Sequence, residues 1–282
     1  NMAKKNIQEK RSKMSNYKIY SRTEKSKDPG HAVNEDSYLY TDYCFMNDEH
    51  MRVLTVADGM GGLTDGAGAS LHAVSGFTRA VYGELAECYL KSDKDNFSMS
   101  FYADRLETML RSAICSANRE VCRNAPLMTE TGTTLSVAAI LGNYAVIANI
   151  GDSPVYYYNA EKKEFSLVSE LQTRAEKDVE NGLYERYSPE YYAHDHILCK
   201  TLGEQEELDE NDIFVRVIGF LHEGDAFLIG SDGAFGRMQT DEIEEIISEK
   251  RGNEALRFLF DEARIDKNDD QTAILYRICE EG

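Results

Sequence analysis

Five short acidic motifs recur along this chain of 282 residues, and each lies beside an apolar run. Three of them follow runs typical of buried strands, at residues 53–57, 146–150 and 226–230. A carboxylate at the end of a buried strand is costly unless a cation meets it. Several such carboxylates together predict a cluster that binds hard divalent metal ions through oxygen. The motifs are Asn34-Glu35-Asp36, Asp58-Gly59-Met60-Gly61-Gly62, Gly151-Asp152-Ser153, Ser231-Asp232-Gly233 and Asp269-Asp270-Gln271-Thr272.

Each motif also has a simpler interpretation as a turn. Asp-Gly is common in a turn after a strand, and Asp152 could form an Asx-turn. The glycines after Asp58 let the backbone bend sharply, and Gly59 could offer its carbonyl oxygen to a metal. A phosphate-binding loop is excluded because Ala67-Gly68 stands where a Walker loop requires Lys and Ser or Thr. The shared placement beside buried strand ends favours one metal cluster over five unrelated turns.

The composition is that of a globular protein, and its charge limits the function classes. Hydrophobic residues make up 42% and charged residues 29% of the chain. No apolar run approaches the roughly 20 residues of a membrane helix, and the N-terminus lacks the apolar segment of a secretion signal. The net charge of −19 argues against a nucleic-acid binder and suits a protein that needs counter-cations, although solubility alone would also explain it. The six cysteines form no Cys-x-x-Cys pair, so we expect reduced thiols and a cytoplasmic location.

Hydrophobic periodicity predicts the elements that must position the acidic motifs. Helical spacing of apolar residues predicts helices through Leu71–Leu85 and Leu106–Val121, and Thr240 and Asn253 are candidate N-caps of two later helices. The Gly142-Asn143 dipeptide predicts a hairpin turn between two strands. The predicted strands cover residues 17–21, 36–43, 52–57, 133–141, 144–158, 164–169, 213–218, 226–230 and 271–279.

The order of these elements predicts an α+β protein. Consecutive hairpins and paired helices favour antiparallel sheets with helices packed outside, not a βαβ repeat. We predict one domain over residues 16–282, preceded by a disordered basic arm at residues 1–15. Residues 170–212 are polar and rich in Tyr, which is typical of a flap-like insertion. Within it, His194 and His196 could form a metal-binding pair on one face of a strand, or lie in a solvated loop.

The acidic motifs, together with Thr131-Gly132-Thr133-Thr134, resemble in order and spacing the metal-dependent serine/threonine protein phosphatases of type 2C. The resemblance runs from about residue 17 to 278 and is greatest to the compact bacterial branch of the family. Single motifs are weak signals, but six in order are specific. The resemblance implies a four-layer α-β-β-α sandwich, in which two antiparallel β-sheets are flanked by helix pairs. It also implies two Mn²⁺ or Mg²⁺ ions at one end of the sandwich.

The resemblance implies a role for each acidic position. Asp58 would bridge both ions, and Asp232 and Asp269 would complete one site. The Gly59 carbonyl would join the other site, with Glu35 and Asp36 bound directly or through water. Asp152 matches the aspartate associated with a third, weaker ion.

The implied activity is hydrolysis of phosphoserine and phosphothreonine in proteins by a metal-activated water, with Asp58, Asp232 and Asp269 acting through the metals. Two adjacent cations acidify a water and neutralise the phosphoryl oxygens. The expected partners are phosphoprotein substrates of a cognate kinase, with no nucleic acid, no membrane and a monomeric chain. Two alternatives stay open: a catalytically weak scaffold or sensor with the same fold, and a hydrolase of small phosphoesters.

Four positions depart from the family pattern. His31 stands where the family has a phosphate-gripping Arg, and imidazole lacks the planar fork of a guanidinium. We therefore expect weaker phosphate binding that tightens from pH 8 to pH 6, unless Lys27 or Arg22 takes the place of that Arg. Gly236 replaces an acid, which weakens the case for the third ion at Asp152. Pro154 replaces a structural Arg, so altered strand geometry is expected. Asp270 stands where many relatives have Asn.

Overall fold

The computed structural model of the protein describes residues 16–44, 50–60, 65–91, 100–126, 130–266 and 268–279. The predicted arm and Gly61-Gly62 lie outside these residues. Within them, ten strands form two five-stranded antiparallel sheets. One sheet contains, in spatial order, β2 (Asp36–Cys44), β3 (His50–Asp58), β4 (Leu135–Leu141), β5 (Tyr144–Ile150) and β8 (Phe214–Gly219). The other contains β1 (Tyr17–Glu24), β10 (Gln271–Ile278), β9 (Ala226–Gly230), β6 (Val155–Asn159) and β7 (Glu164–Leu167).

The described helices come in three pairs, of which the sequence predicts the first and the last. Two long helices follow β3, two short ones lie between β7 and β8, and two more lie between β9 and β10. None of the described helices combines the length and apolarity that crossing a bilayer requires. The helices are α1 (Gly66–Lys91), α2 (Ser100–Asn124), α3 (Arg174–Glu180), α4 (Pro189–Tyr192), α5 (Thr240–Glu249) and α6 (Asn253–Asp266).

Strand alternation divides the core into three apolar layers. Val53 on β3 packs with Phe77 of α1 in the layer beneath the first helix pair. The next residue, Leu54, points to the opposite face and packs with Phe227 in the layer between the sheets. Leu228, which follows Phe227 on β9, packs in a third layer with α5 and α6. The predicted α-β-β-α sandwich is therefore confirmed, and each sheet buries both faces.

The single strand predicted over residues 144–158 is wrong. β5 ends at Ile150 in one sheet, and β6 begins at Val155 in the other. Between them Gly151 has a φ of +97°, a conformation that favours glycine, and Pro154 cannot donate a ladder hydrogen bond. The chain therefore crosses from one sheet to the other at the Gly151-Asp152-Ser153 motif, which puts Asp152 at the crossing.

Two smaller element predictions also fail. Leu71 belongs to the predicted apolar stripe of α1, yet its side chain is 59% exposed. The face of α1 toward the sheet begins instead with the small residues Ser70 and Ala73, which are fully buried. Helix α5 is capped by Gln239 in place of Thr240, and the Gln239 N–H donates to Glu242 Oε2 at 2.7 Å.

The segment at residues 170–212 has more regular structure than its sequence suggests. Thr173 caps α3, its Oγ1 accepting a hydrogen bond from the Glu176 N–H at 3.3 Å. Residues 193–196 form turns directly after α4, and His194 Nδ1 lies 3.1 Å from the Glu190 carbonyl oxygen. The proposed strand with His194 and His196 on one face is therefore wrong, because a turn does not alternate its side chains.

Candidate metal centre

The acidic motifs meet at one end of the sandwich. Asp36 at the start of β2 is the register partner of Asp58 at the end of β3. Like charges directly opposite each other on antiparallel strands destabilise the pair. Asp232 follows the end of β9, and Asp269 precedes the start of the neighbouring β10. The pairing of β2 with β3 and of β9 with β10 thus brings carboxylates up to 233 residues apart in sequence to the same end of the two sheets.

Asp58 lies at the centre of this cluster. Desolvation raises its pKa well above the ordinary value, and the negative charges of Asp36, Asp232, Asp152 and Asp269 raise it further. Four of the predicted aspartates are therefore close enough to Asp58 to repel its charge. A folded protein keeps such a cluster ionised at neutral pH only if cations offset the repulsion.

The donor set fits hard divalent cations. Asp36 Oδ2 accepts a hydrogen bond from Ser231 Oγ at 2.7 Å. Asp36 Oδ1 is buried and has no hydrogen-bond partner among the described residues. Burial raises the pKa of Asp36 to about 7, against the hydrogen bonds from Ser231 and Thr272. An orphaned carboxylate oxygen inside an all-oxygen cluster is the ligand type that Mn²⁺ and Mg²⁺ prefer.

The backbone of Asp58 is held by the Thr133-Thr134 pair. The Thr134 N–H donates to the Asp58 carbonyl oxygen at 2.9 Å, and the Asp58 N–H donates to Thr134 Oγ1 at 3.0 Å. Thr133 Oγ1 donates to the same carbonyl oxygen at 2.7 Å. Thr134 Oγ1 is also 2.6 Å from Ser153 Oγ, which ties this pair to the motif that carries Asp152. The threonine motif therefore sets the position of Asp58.

Gly59 allows the chain to pass close to Glu35. The Gly59 N–H donates to the Glu35 carbonyl oxygen at 3.1 Å, and a Cβ on Gly59 would lie 2.6 Å from that oxygen. It would also overlap the carbonyl of Gly66, at the start of α1. The Glu35 carboxylate lies in turn close to Gly66, since a Cβ there would be 2.7 Å from Glu35 Oε1. The glycines therefore bring the Glu35 and Asp58 motifs together.

Asp232 and Asp269 are brought together by a second close approach. Asp232 begins a short 3-10 helix that ends at Ala234, and a Cβ on Gly233 would overlap the carbonyl oxygen of Asp270. The same Cβ would lie 2.9 Å from Asp269 Cβ. Only glycine fits at this contact, so the sequence Ser231-Asp232-Gly233 has a packing reason as well as a chemical one.

His31 and Asp270, two of the departures from the family pattern, form a pair that the sequence did not reveal. Asp270 Oδ2 is 2.7 Å from His31 Nε2 and accepts a hydrogen bond from the Glu35 N–H at 2.6 Å. Asp270 Oδ1 accepts from the Ser26 N–H at 2.7 Å. Asp270 thus anchors the loop before β2 through three contacts, which an amide with one acceptor oxygen would not match. The signal in the sequence was that both positions depart from the family pattern together: Asp270 stands where many relatives have Asn, and His31 stands where the family has Arg.

Gly236 leaves no space for the acid that the family pattern places there. Its φ is +57°, and a Cβ would lie 2.6 Å from the carbonyl oxygen of Ala263 on α6. Any side chain at this position would be strained and crowded. Asp152 and Asp232 therefore lack a third carboxylate from residue 236.

Comparison with known proteins agrees with this geometry. The sequence model of the protein phosphatase 2C family matches residues 29–266. The serine/threonine phosphatase stp of Listeria monocytogenes is 30% identical over 215 residues, which is 73% of this chain and 76% of that protein. The Mycobacterium tuberculosis phosphatase PstP/Ppp superposes with a TM-score of 0.69 at 21% identity, covering 94% of this chain and 99% of that one. The PstP catalytic domain with two manganese ions gives a TM-score of 0.67 at 21% identity over 94% and 99% of the two chains. From the matched family model and the Listeria relative together, the chain belongs to the protein phosphatase 2C family.

Proposed function

We propose that this chain is a serine/threonine protein phosphatase whose two divalent ions, Mn²⁺ or Mg²⁺, are held by the acidic cluster. The observation that carries the proposal is the meeting of four aspartates around Asp58, one of them with an orphaned buried oxygen. The Listeria relative, which is named a serine/threonine phosphatase, supports the substrate class. The PstP domain that contains two manganese ions supports the number and type of ions.

In this proposal Asp58, Asp232, Asp269 and the Gly59 carbonyl bind the ions, and Glu35 and Asp36 bind them directly or through water. When bound, such ions acidify a water that attacks the phosphorus and neutralise the phosphoryl oxygens. The protein contributes rigid positioning. Ser231 Oγ holds one oxygen of Asp36 by its hydrogen bond and leaves the other for a ligand role.

Asp152 would hold a third, weaker ion only with help from another ligand, since Gly236 supplies none. The substrates would be proteins phosphorylated by a cognate serine/threonine kinase. The enzyme itself would be a monomer. Size-exclusion chromatography with light scattering would check the monomer.

A direct assay separates this function from its alternatives. The wild type should hydrolyse p-nitrophenyl phosphate and a phosphothreonine peptide when Mn²⁺ is present, and neither substrate when the metal is chelated. Turnover of p-nitrophenyl phosphate alone, with the peptide left intact, would favour a hydrolase of small phosphoesters. Metal binding without turnover of either substrate would favour the scaffold or sensor, and the phosphatase proposal would be wrong.

His31 should make phosphate binding depend on pH. Desolvation lowers its pKa, but the hydrogen bond to Asp270 and the charges of Asp270, Glu35 and Asp269 outweigh it, so the pKa is raised above 6.5. The charged imidazolium is thus favoured at pH 6 and is lost as pH rises toward and through the raised pKa. We would compare the ratio of KM at pH 8 to KM at pH 6 for a phosphothreonine peptide. This ratio should be about threefold larger in the wild type than in His31→Ala. Equal pH dependence in the two proteins would contradict a role for His31 in phosphate binding.

A further inference from the structure

A groove of about 240 Å³ opens directly from the acidic cluster. Asp152 and Asp232 line it on the side of the sandwich. The facing wall comes from the segment at residues 170–212, through Tyr187, Tyr191 and Tyr192. A chain that presents a phosphorylated residue to the cluster must place its neighbouring residues somewhere nearby, and this groove begins at two of the acidic residues.

The tyrosine wall is preorganised. The Tyr191 ring is edge-on to the rings of Tyr187 and Tyr192, with centroids 5.7 Å from each. Tyr191 itself is buried and its hydroxyl donates to Glu176 Oε1 at 2.6 Å. Aromatic rings held by one another offer contact area without a further loss of side-chain entropy on binding.

The basic side chains of the groove other than Arg237 contact carboxylates within the protein. Arg186 Nη2 forms an ion pair with Glu176 Oε2. His196 Nδ1 lies 3.5 Å from Asp195 Oδ1. The Arg186 charge is therefore offset by Glu176, and the His196 ring has Asp195 beside it when it is protonated.

Arg237 is the exception. No ion pair to its guanidinium occurs within the described ranges of the chain, and its Cζ lies 4.8 Å from the centroid of the Tyr192 ring. A cation over an aromatic face is held in orientation without being neutralised. The backbone before it is also fixed, because the Gly236 N–H donates to the Asp232 carbonyl oxygen at 2.9 Å. Arg237 therefore contributes a positive charge to the groove from a backbone position that is held next to Asp232.

We propose that this groove binds the substrate segment next to the phosphorylated residue, and that Arg237 selects an acidic side chain there. The proposal rests on the phosphatase function above and adds a sequence preference to it. The chain's net charge of −19 does not oppose the preference at close range, since exposed charges more than about 8 Å away are screened at physiological salt. A contact pair between Arg237 and a glutamate acts within that distance.

Paired peptides test the preference. Phosphothreonine peptides carrying Glu or Gln at each of the two positions on either side of the phosphothreonine would be compared by kcat/KM with Mn²⁺. For at least one position the wild type should favour Glu about fivefold, the upper range for an exposed ion pair. Arg237→Gln should bring that ratio to about one, and Arg237→Glu should bring it below one. Arg257→Gln, which removes the same charge on α6 outside the groove, should keep the wild-type ratio.

A binding measurement keeps the groove and the activity separable. The Kd of the same peptides would be measured by fluorescence anisotropy on Asp58→Asn protein, with and without Arg237→Gln. A Glu preference in Kd that disappears in the double variant supports the groove even if the wild type has no turnover, in which case only the phosphatase proposal fails. Two results would overturn the groove proposal alone. One is a wild type that turns over p-nitrophenyl phosphate and has the same kcat/KM for the Glu and Gln peptides at every position. The other is a Glu preference that Arg237→Gln leaves unchanged.

Discussion

Asp58→Asn is expected to reduce Mn²⁺-dependent kcat/KM on p-nitrophenyl phosphate at least about a thousandfold, the largest effect we predict for any single residue. Asp58 lies among four other aspartates whose charges raise its pKa, so it is the carboxylate best placed to bridge two cations. An amide keeps the shape of the side chain and removes the charge that attracts the ions.

The same substitution should have the opposite effect on the metal-free protein. Neutralising the central carboxylate relieves repulsion, so the Tm without metal should rise above that of the wild type. Mn²⁺ at about a hundred times its Kd should stabilise the wild type by about 2.7 kcal/mol, or about 5–10 °C in Tm. The variant should lose most of this shift, which differential scanning fluorimetry would measure.

Asp261→Asn is the matched control, because Asp261 lies on the exposed face of α6 and pairs with Arg257 at 3.5 Å. It should leave both the activity and the metal-induced shift unchanged. Full activity in Asp58→Asn, or a metal-induced shift equal to that of the wild type, would remove Asp58 from the metal centre.

Gly233→Ala should be the most destabilising single-methyl change at the site. The added Cβ would overlap the carbonyl oxygen of Asp270, a backbone atom that cannot move without shifting the start of β10. We expect the free energy of unfolding to fall by about 2–3 kcal/mol, as for overpacked cores, with weaker Mn²⁺ binding because Asp232 and Asp269 move apart. Urea unfolding and a Mn²⁺ titration would measure the two effects.

Gly83→Ala provides the control for this substitution. Gly83 lies inside α1, and a Cβ there would have no atom within 4 Å. Alanine should therefore raise the free energy of unfolding by about 0.5–1 kcal/mol through helix propensity. A neutral Gly233→Ala would mean that the contact with Asp270 is looser than the structure has it.

Local patterns predicted most of the fold. The buried strands, the two long helices and the Gly142 hairpin follow from apolar period and turn chemistry, which act within a few residues. The failures have local causes too. Residues 144–150 and 155–158 are both rich in strand-forming residues, and the positive φ of Gly151, its packing on Thr134 and the following Pro154 divide them into strands of different sheets. Leu71 fits the apolar period of α1, but the smaller Ser70 and Ala73 allow the helix to lie closer to the sheet on their side.

The acidic motifs could be identified from residue type and spacing, because a carboxylate after a buried strand is conspicuous in any sequence. Their spacing also predicted a metal cluster, but the contacts that position them are ones that no local pattern contains. The pairing of His31 with Asp270 joins residues 239 positions apart, and its effect is to hold the loop that carries Glu35. The exclusion of a side chain at Gly236 is set by Ala263 on a different helix.

By itself, the sequence determined the chemistry that is available: which side chains carry charge, where strands end, and where only glycine can turn. The tertiary structure decided which of these side chains contact one another. It brings Asp36 and Asp58 into register, leaves one oxygen of Asp36 without a partner, ties His31 to Asp270, and leaves Arg237 stacked on Tyr192 beside the cluster. The physical reason is range: propensity and periodicity act over one or two turns of chain, whereas repulsion, desolvation and close packing depend on neighbours that only folding brings together.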